Sequence, residues 1–254
     1  METEIKYFNI PIPLLRGLLT GEKRIKDFIQ ESVNYSLYDY AMRLPETDED
    51  GTNMATQIKA AANFLNVRLG NINHVISAGE NLYRLYGNNG AFAGVRTSIV
   101  WDYNENQKSE HQIALFCAYC ATKSILGKGK FKRTGKQHII ARMFGYNTYT
   151  EFVNDHPITT AKNISKEVRV KRQEAADCRA KYSKRYHIDK ILTDLELDWG
   201  FKRYGNHIRG MYISYVADLS ELAKACEDSK RSIRENALRE AKNLAREQAK
   251  RTAP

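Results

Sequence analysis

Residues 122–148 read TKSILGKGKFKRTGKQHIIARMFGYNT, and the fold turns on what this stretch becomes. It holds seven Lys or Arg (Lys123, Lys128, Lys130, Lys132, Arg133, Lys136, Arg142) and no acid. A glycine-punctuated basic run ends at Thr134, after which apolar residues recur at Ile139, Ile140, Met143 and Phe144. That spacing predicts a short helix with Thr134 as N-cap and Gly145 as the left-handed residue that ends it. Tyr146-Asn147-Thr148 then reads as a turn and a second helix start. Cap, helix, glycine, turn and cap in that order form the front of a helix-turn-helix. A short surface helix with a basic approach fits the same residues, so the flanking chain has to decide.

Upstream, a helix is expected over Glu110 to Leu126, with Ile113, Ala114, Cys117, Cys120, Ala121, Ser124 and Ile125 on one face. Cys117 and Cys120 form a CxxC without a second pair. His111 and His138 are not at zinc-finger spacing, so these cysteines read as buried structure in a reducing compartment. Downstream, residues 154–182 are polar and basic with little apolar periodicity until their end, and read as a connecting insertion. A helix from about Ser183 to Trp199 follows, apolar at Ile188, Ile191, Leu192, Leu195 and Trp199, and stops at Gly200. KRYGNHIRGMYISYV (202–216) has the pattern of a hairpin turning at Gly205-Asn206, with Met211, Ile213 and Tyr215 alternating along its second strand. The tail, Ala217 to Arg251, reads as a long polar helix that docks near its start.

The first half has a similar grammar. A strand-like start (Ile5, Tyr7, Asn9) precedes a small helical segment, Leu14 to Leu19. Amphipathic helices are expected over Glu22 to Leu44, over Met54 to Leu65 capped by Asn53, and over Asn73 to Tyr86. The acidic loop 45–53 separates the first two, Gly87-Asn88-Asn89-Gly90 signals a tight turn, and a short segment runs from Thr97 to Tyr103. His74-Val75, Leu82, Tyr86 and Gly87 fall on His187-Ile188, Leu195, Trp199 and Gly200 at a constant offset of 113. Each half then runs long helix, loop, helix, turn, helix, Gly and a turn-bearing segment, which is the order of a winged helix.

The expected fold is mainly α with small β-hairpins (α+β). It comprises an acidic winged-helix-like unit (1–92), a basic one (93–216, with the insertion 154–182) and a helical tail (217–254). This tandem arrangement resembles plasmid replication initiators of the two-winged-helix kind, which implies binding to repeated origin DNA with both units. The stretches HIIARMFGY (138–146) and KRYHIDKILTDLELDWG (184–200) are also similar to uncharacterised proteins carried on mobile elements of gut bacteria.

The chain has 254 residues and a net charge of +10. Residues 1–110 carry 11 Lys/Arg against 14 Asp/Glu, whereas residues 111–254 carry 29 against 16. Segregated positive charge is the footprint of a polyanion partner. Nothing approaches eighteen consecutive apolar residues, and METEIKYFNI lacks a signal-peptide pattern, so no membrane partner and a cytoplasmic setting are expected.

Duplex DNA is bound mostly through Lys and Arg on phosphates and read by a few side chains on base edges. Lys128, Lys130, Lys132, Arg133 and Lys136 read as a flexible phosphate clamp, with Gln137 and Arg142 as base-contacting candidates and Tyr146 and Asn147 in the turn beside them. Lys184, Arg185, Tyr186 and Lys190 gather at the start of the later helix, where free N–H groups and the dipole favour a phosphate. Lys202, Arg203, Asn206, His207 and Arg209 would lie on a wing. Trp199, Tyr86, His187 and His74 read as core or structural residues. The N-terminal unit, with Arg68, Arg84 and Arg96, is equally readable as a dimerisation or partner domain, which would make the chain a homodimer.

No catalytic constellation is visible. GKGKFKRTGK lacks GxxxxGK[ST], no HxH pair occurs, and His138 to Arg142 is one residue too long for an HxxR box. Asp48 and Asp50 lie in a loop, and Asp194, Glu196 and Asp198 alternate along a helix and would not share one metal. The sequence therefore predicts a non-catalytic, sequence-specific DNA-binding protein without cofactor, of initiator or regulator type. The alternatives are a structural or accessory DNA- or RNA-associated protein with little sequence preference, and a DNA-acting enzyme.

Overall fold

The computed structural model describes residues 6–44, 53–87, 90–155, 166–206 and 210–252. It is mainly helical, with ten helices among the described residues and two small antiparallel sheets. No helix among these residues is long and apolar enough to cross a membrane.

The first unit begins with strand β1 (Tyr7–Pro11) and a 3-10 turn (Ile12–Leu15), followed by helices α1 (Ile25–Ala41), α2 (Met54–Leu65) and α3 (Ile72–Tyr86). Alternation in β1 is as expected, but its buried face is Phe8 and Ile10, so Tyr7 and Asn9 point the other way. The Asn53 side chain accepts from the Ala55 N–H at 3.0 Å, and Asn71 caps α3 in the same way. Strand β2 (Phe92–Arg96) pairs antiparallel with β1 in the register Tyr7↔Arg96 to Pro11↔Phe92. The segment after α3 is therefore not half of a local hairpin: it returns to the start of the chain. The expected boundary at 92/93 falls at the first residues of β2. Gly87-Asn88-Asn89-Gly90 lies partly outside the described residues.

Helix α4 (Thr97–Glu105) leads to α5 (Glu110–Leu126), which starts at a Ser109/Gln112 capping box and runs through the centre of the molecule. Every residue from Ala114 to Thr122 is buried. Only one face was expected to be, yet Leu115, Phe116, Ala118 and Tyr119 are enclosed as well. A helix apolar all round must be wrapped on all sides. The 3-10 turn, β2 and the second unit supply the wrapping, and the buried residues form one contiguous core across both halves. Cys117 and Cys120 are fully buried free thiols within it.

After α5 come β3 (Lys132–Thr134), α6 (Lys136–Met143), α7 (Tyr149–Asn154), α8 (Lys166–Ser183), α9 (Arg185–Trp199), β4 (Lys202–Asn206) and β5 (Gly210–Ser214). The second sheet has the order β3-β5-β4, so the last strand lies between the hairpin partner and the strand that precedes α6. Between β3 and the β4–β5 hairpin, which share this sheet, the chain passes through α6, α7, α8 and α9. Helices α3 and α9 have the same length and start 113 residues apart. The described part of the insertion forms α8, which buries Tyr182 against Phe144, and the Cys178 thiol donates to the Leu19 carbonyl at 3.2 Å.

Three further expectations are corrected. Thr134 is not the cap of α6; it is drawn into β3, buried opposite Met211, and Gly135 takes the cap position without a side-chain bond. Lys132 and Arg133 are thereby fixed in a strand rather than on a flexible arm. Gly205 and Asn206 are not the turn: they end strand β4, opposite Met211 and Gly210, and residues 207–209 lie outside the described residues. Gly145 does end its helix as expected, at φ +83°, with the Tyr146 N–H donating to the Ala141 carbonyl at 2.9 Å. Thr148 caps α7 through the Glu151 N–H at 3.1 Å.

The tail, α10 (Leu219–Thr252), packs against β4 and β5 through Leu222 and Cys226, and its side chains from 234 to 243 are exposed.

Gly145→Ala is expected to destabilise the fold by at least about 1 kcal/mol. An L-residue is disfavoured in the left-handed region, and its Cβ would stand 2.7 Å from the Arg16 backbone nitrogen. Urea unfolding of the variant against the parent chain measures this directly.

Candidate nucleic-acid interface

The N-terminal ends of α6 and α9 and the inner face of the β4–β5 wing enclose a cleft of about 720 Å³. Ile140, Ile188 and Met211 form part of its floor, and Lys136, Gln137, Arg185, Asp189 and Arg203 stand around them. Segments far apart in sequence thus deliver cations to one place. Asp189 holds them there: it pairs with Lys136, with the Arg185 Nε at 3.4 Å and with the Arg203 guanidinium at 3.8 Å. Burial alone would raise the Asp189 carboxyl, but the hydrogen bond and charge of Lys136, with the field of Arg203, outweigh it and hold the carboxyl below its usual range. Arg203 also donates to Glu196 at 3.1 Å and to the Thr193 hydroxyl at 3.1 Å.

Lys184, the cap of α9, and Arg185, Tyr186, Lys190 and Thr193 on the helix are exposed, and Arg185 lines the cleft. Tyr186 is 72% exposed, a high value for an aromatic ring at a helix start. The acids of the helix are held elsewhere or lie further along. Asp194 meets His111 at 2.9 Å, Glu196 meets Arg203, and Asp198 sits in the last turn.

Other expected site residues do not join this surface. Lys132 pairs in register with Ile213, towards the base of the wing, whereas Thr134 lies opposite Met211 near its tip. Lys128 and Lys130 precede Lys132 and so stand at the base end, where Lys130 pairs with Glu221 of α10 at 2.5 Å. Lys202 is at the same end, opposite Ser214. Arg133 lies opposite Tyr212 in β3 and is engaged there. Asn206 ends β4, while His207 and Arg209 lie outside the described residues.

Arg142, Tyr146 and Asn147 are corrections. Arg142 turns inward, its Nε donating to the His138 Nε2 at 3.3 Å and its Nη1 to the Asn147 Oδ1 at 3.4 Å. That Asn147 oxygen also accepts from the Ala91 N–H at 3.4 Å, so it ties the turn between α6 and α7 to the chain before β2. Tyr146 is buried, with Arg16 at 4.5 Å and Arg179 at 5.4 Å from its ring centre and its hydroxyl accepting from Arg179 at 2.6 Å. Aromatic faces hold guanidinium groups well where both lose water. These three residues build the turn instead of reading a partner.

Asp189 and Thr193 were not foreseen. The signal was present, since Asp189 follows Arg185 by four residues and is the lone acid in a basic first half of α9. Among the described residues, no group of three His, Cys, Asp or Glu side chains is placed to hold a metal ion. Compared with protein-family models, curated proteins and solved structures, the chain matches none.

Burial, then the charge of Arg142, push the His138 imidazole below its usual range. Such a group is neutral in the fold, and the unfolded chain takes up the proton first as pH falls. Its contribution to stability is complete above about pH 6.5 and is lost as pH drops through the folded value. Between pH 7 and pH 5 the parent chain should lose more stability than a His138→Gln variant, read as the shift in urea midpoint. Arg142→Met should cost about 1–3 kcal/mol of stability, whereas Lys190→Met should leave the midpoint unchanged.

Proposed function

We propose that this chain is a non-catalytic protein that binds double-stranded DNA through the second unit, with the N-terminal half of α9 entering the major groove. The observation that carries the reading is the convergence of Lys136, Arg185 and Arg203 on one cleft beside the exposed Lys184, Tyr186 and Lys190. A helix N-terminus adds unpaired N–H groups and a positive dipole to that surface. The wing lies alongside, where it reaches a neighbouring backbone. Lys184, Arg185 and Lys190 take phosphates, while Gln137, Tyr186 and Thr193 are the side chains left to meet base edges. A cytoplasmic replication initiator or transcription regulator of a mobile element is the role this chemistry fits, with the first unit a second DNA contact or a dimerisation surface.

A second reading, binding with little sequence preference, is favoured by one observation. Arg142, which the sequence offered as a reader, is spent inside the turn with His138 and Asn147. Mobility shifts on random duplex DNA, and on sites selected from a random pool, separate the two readings: specific binding survives excess competitor. Affinity should fall at least about tenfold between low and physiological salt if several phosphates are contacted. The double variant Lys184→Glu, Lys190→Glu should abolish the shift, and an unchanged shift would sink the assignment of α9. Asp189→Asn releases three cations from an internal carboxylate, so it should tighten binding to random duplex. Tightening would not be expected if the cleft were only a structural ion-pair cluster.

A further inference from the structure

A second cleft, of about 750 Å³, opens where the last turn of α9 meets β1, the end of β2 and α5. Its volume lies in the range of small-molecule sites, about 300–1,000 Å³. Tyr7, Arg96, Tyr119, Lys123, Trp199 and Tyr215 line it. Two features set it apart from the other clefts. First, Arg96 and Lys123 both face it, and neither pairs with a carboxylate among the described residues. Of the two acids that line it, Asp102 is taken by Lys108 at 2.6 Å, and Asp198, next to Trp199 in the last turn of α9, is exposed. Burial and the nearby Arg96 both disfavour the charge on Lys123, whose ammonium lies 4.4 Å from the Tyr215 ring centre and 5.6 Å from that of Tyr119. An anion placed between the two cations relieves that repulsion.

The second feature is the aromatic wall. Trp199 packs on Tyr119 with ring centres 4.6 Å apart and remains partly open to the cleft, and Tyr7 is 44% exposed. Tyrosine and tryptophan faces bind planar rings by stacking, and a base is such a ring. We propose that this cleft binds a nucleoside monophosphate unit, its phosphate between Arg96 and Lys123 and its base against Tyr7 and Trp199. The unit is either a free nucleotide or one residue of a single strand. The inference does not rest on the duplex-DNA reading: α9 has 15 residues and so separates the two clefts by roughly 20 Å.

Isothermal titration of the full chain tests it, with adenosine 5′-monophosphate, adenosine, inorganic phosphate and a 5′-phosphorylated thymidine pentanucleotide as probes. Adenosine monophosphate or the strand should bind saturably, and adenosine and phosphate alone at least about tenfold more weakly, because each keeps half of the contacts. Tighter binding of the strand assigns the site to nucleic acid, and tighter binding of the mononucleotide to a free ligand. Arg96→Gln, at an exposed position, should weaken binding at least about fivefold without moving the thermal midpoint. Lys123→Met keeps the apolar stem over the rings and should do the same. The proposal is overturned if neither probe saturates, or if both variants bind as the parent does.

Discussion

Nine consecutive residues of α5, Ala114 to Thr122, are buried, the longest such run among the described residues. A helix with a polar stripe can rest on a surface, but one without such a stripe has to be enclosed. The enclosure recruits the 3-10 turn, the strand β2 that pairs with β1, and α6, α9 and the second sheet. The two units therefore share a core through α5. This burial also explains the inert pair of cysteines: desolvation pushes both thiols well above the usual range, which is the reverse of what a reactive CxxC needs.

Enclosing α5 fixes where the cations can go. Once α6 and α9 lie against it, their N-terminal ends and the wing converge, and Asp189 is left at the meeting point of three positive side chains. Partly exposed pairs of this kind contribute little stability, and the network matters more for the geometry it imposes. It spaces Lys136, Arg185 and Arg203 around a cleft instead of letting them repel one another into solvent. At the other end of the same sheet, the Lys130–Glu221 pair fastens the start of α10 instead. One basic stretch of sequence is thus divided between a candidate binding surface and a structural clasp.

Helix existence was legible because apolar spacing and caps act locally: the bounds of α2 and α5 follow from Asn53, Leu65, Glu110 and Leu126 in sequence. The hairpin strands and the left-handed Gly145 were legible for the same reason. Two strand facts were not, since both depend on distant partners. The side of β1 that faces inward is set by β2, and Thr134 becomes a strand residue only because β5 arrives beside it. For the candidate site, charge segregation singled out the half of the chain in which the α6–α9 cleft lies. It could not separate Lys190, which faces solvent, from Arg142, whose guanidinium is consumed by His138 and Asn147. Helix α8 was missed because its stripe is sparse, with Cys178 and Tyr182 its main anchors.

The central claim is that the sequence-distant cations around α9 form one docking face for duplex DNA. Hydrogen–deuterium exchange of the full chain with and without duplex tests it most directly. Slowed exchange confined to the start of α6, the first half of α9 and the β4–β5 wing is the result expected. Protection centred on α1 to α3, or none at saturating DNA, would contradict it.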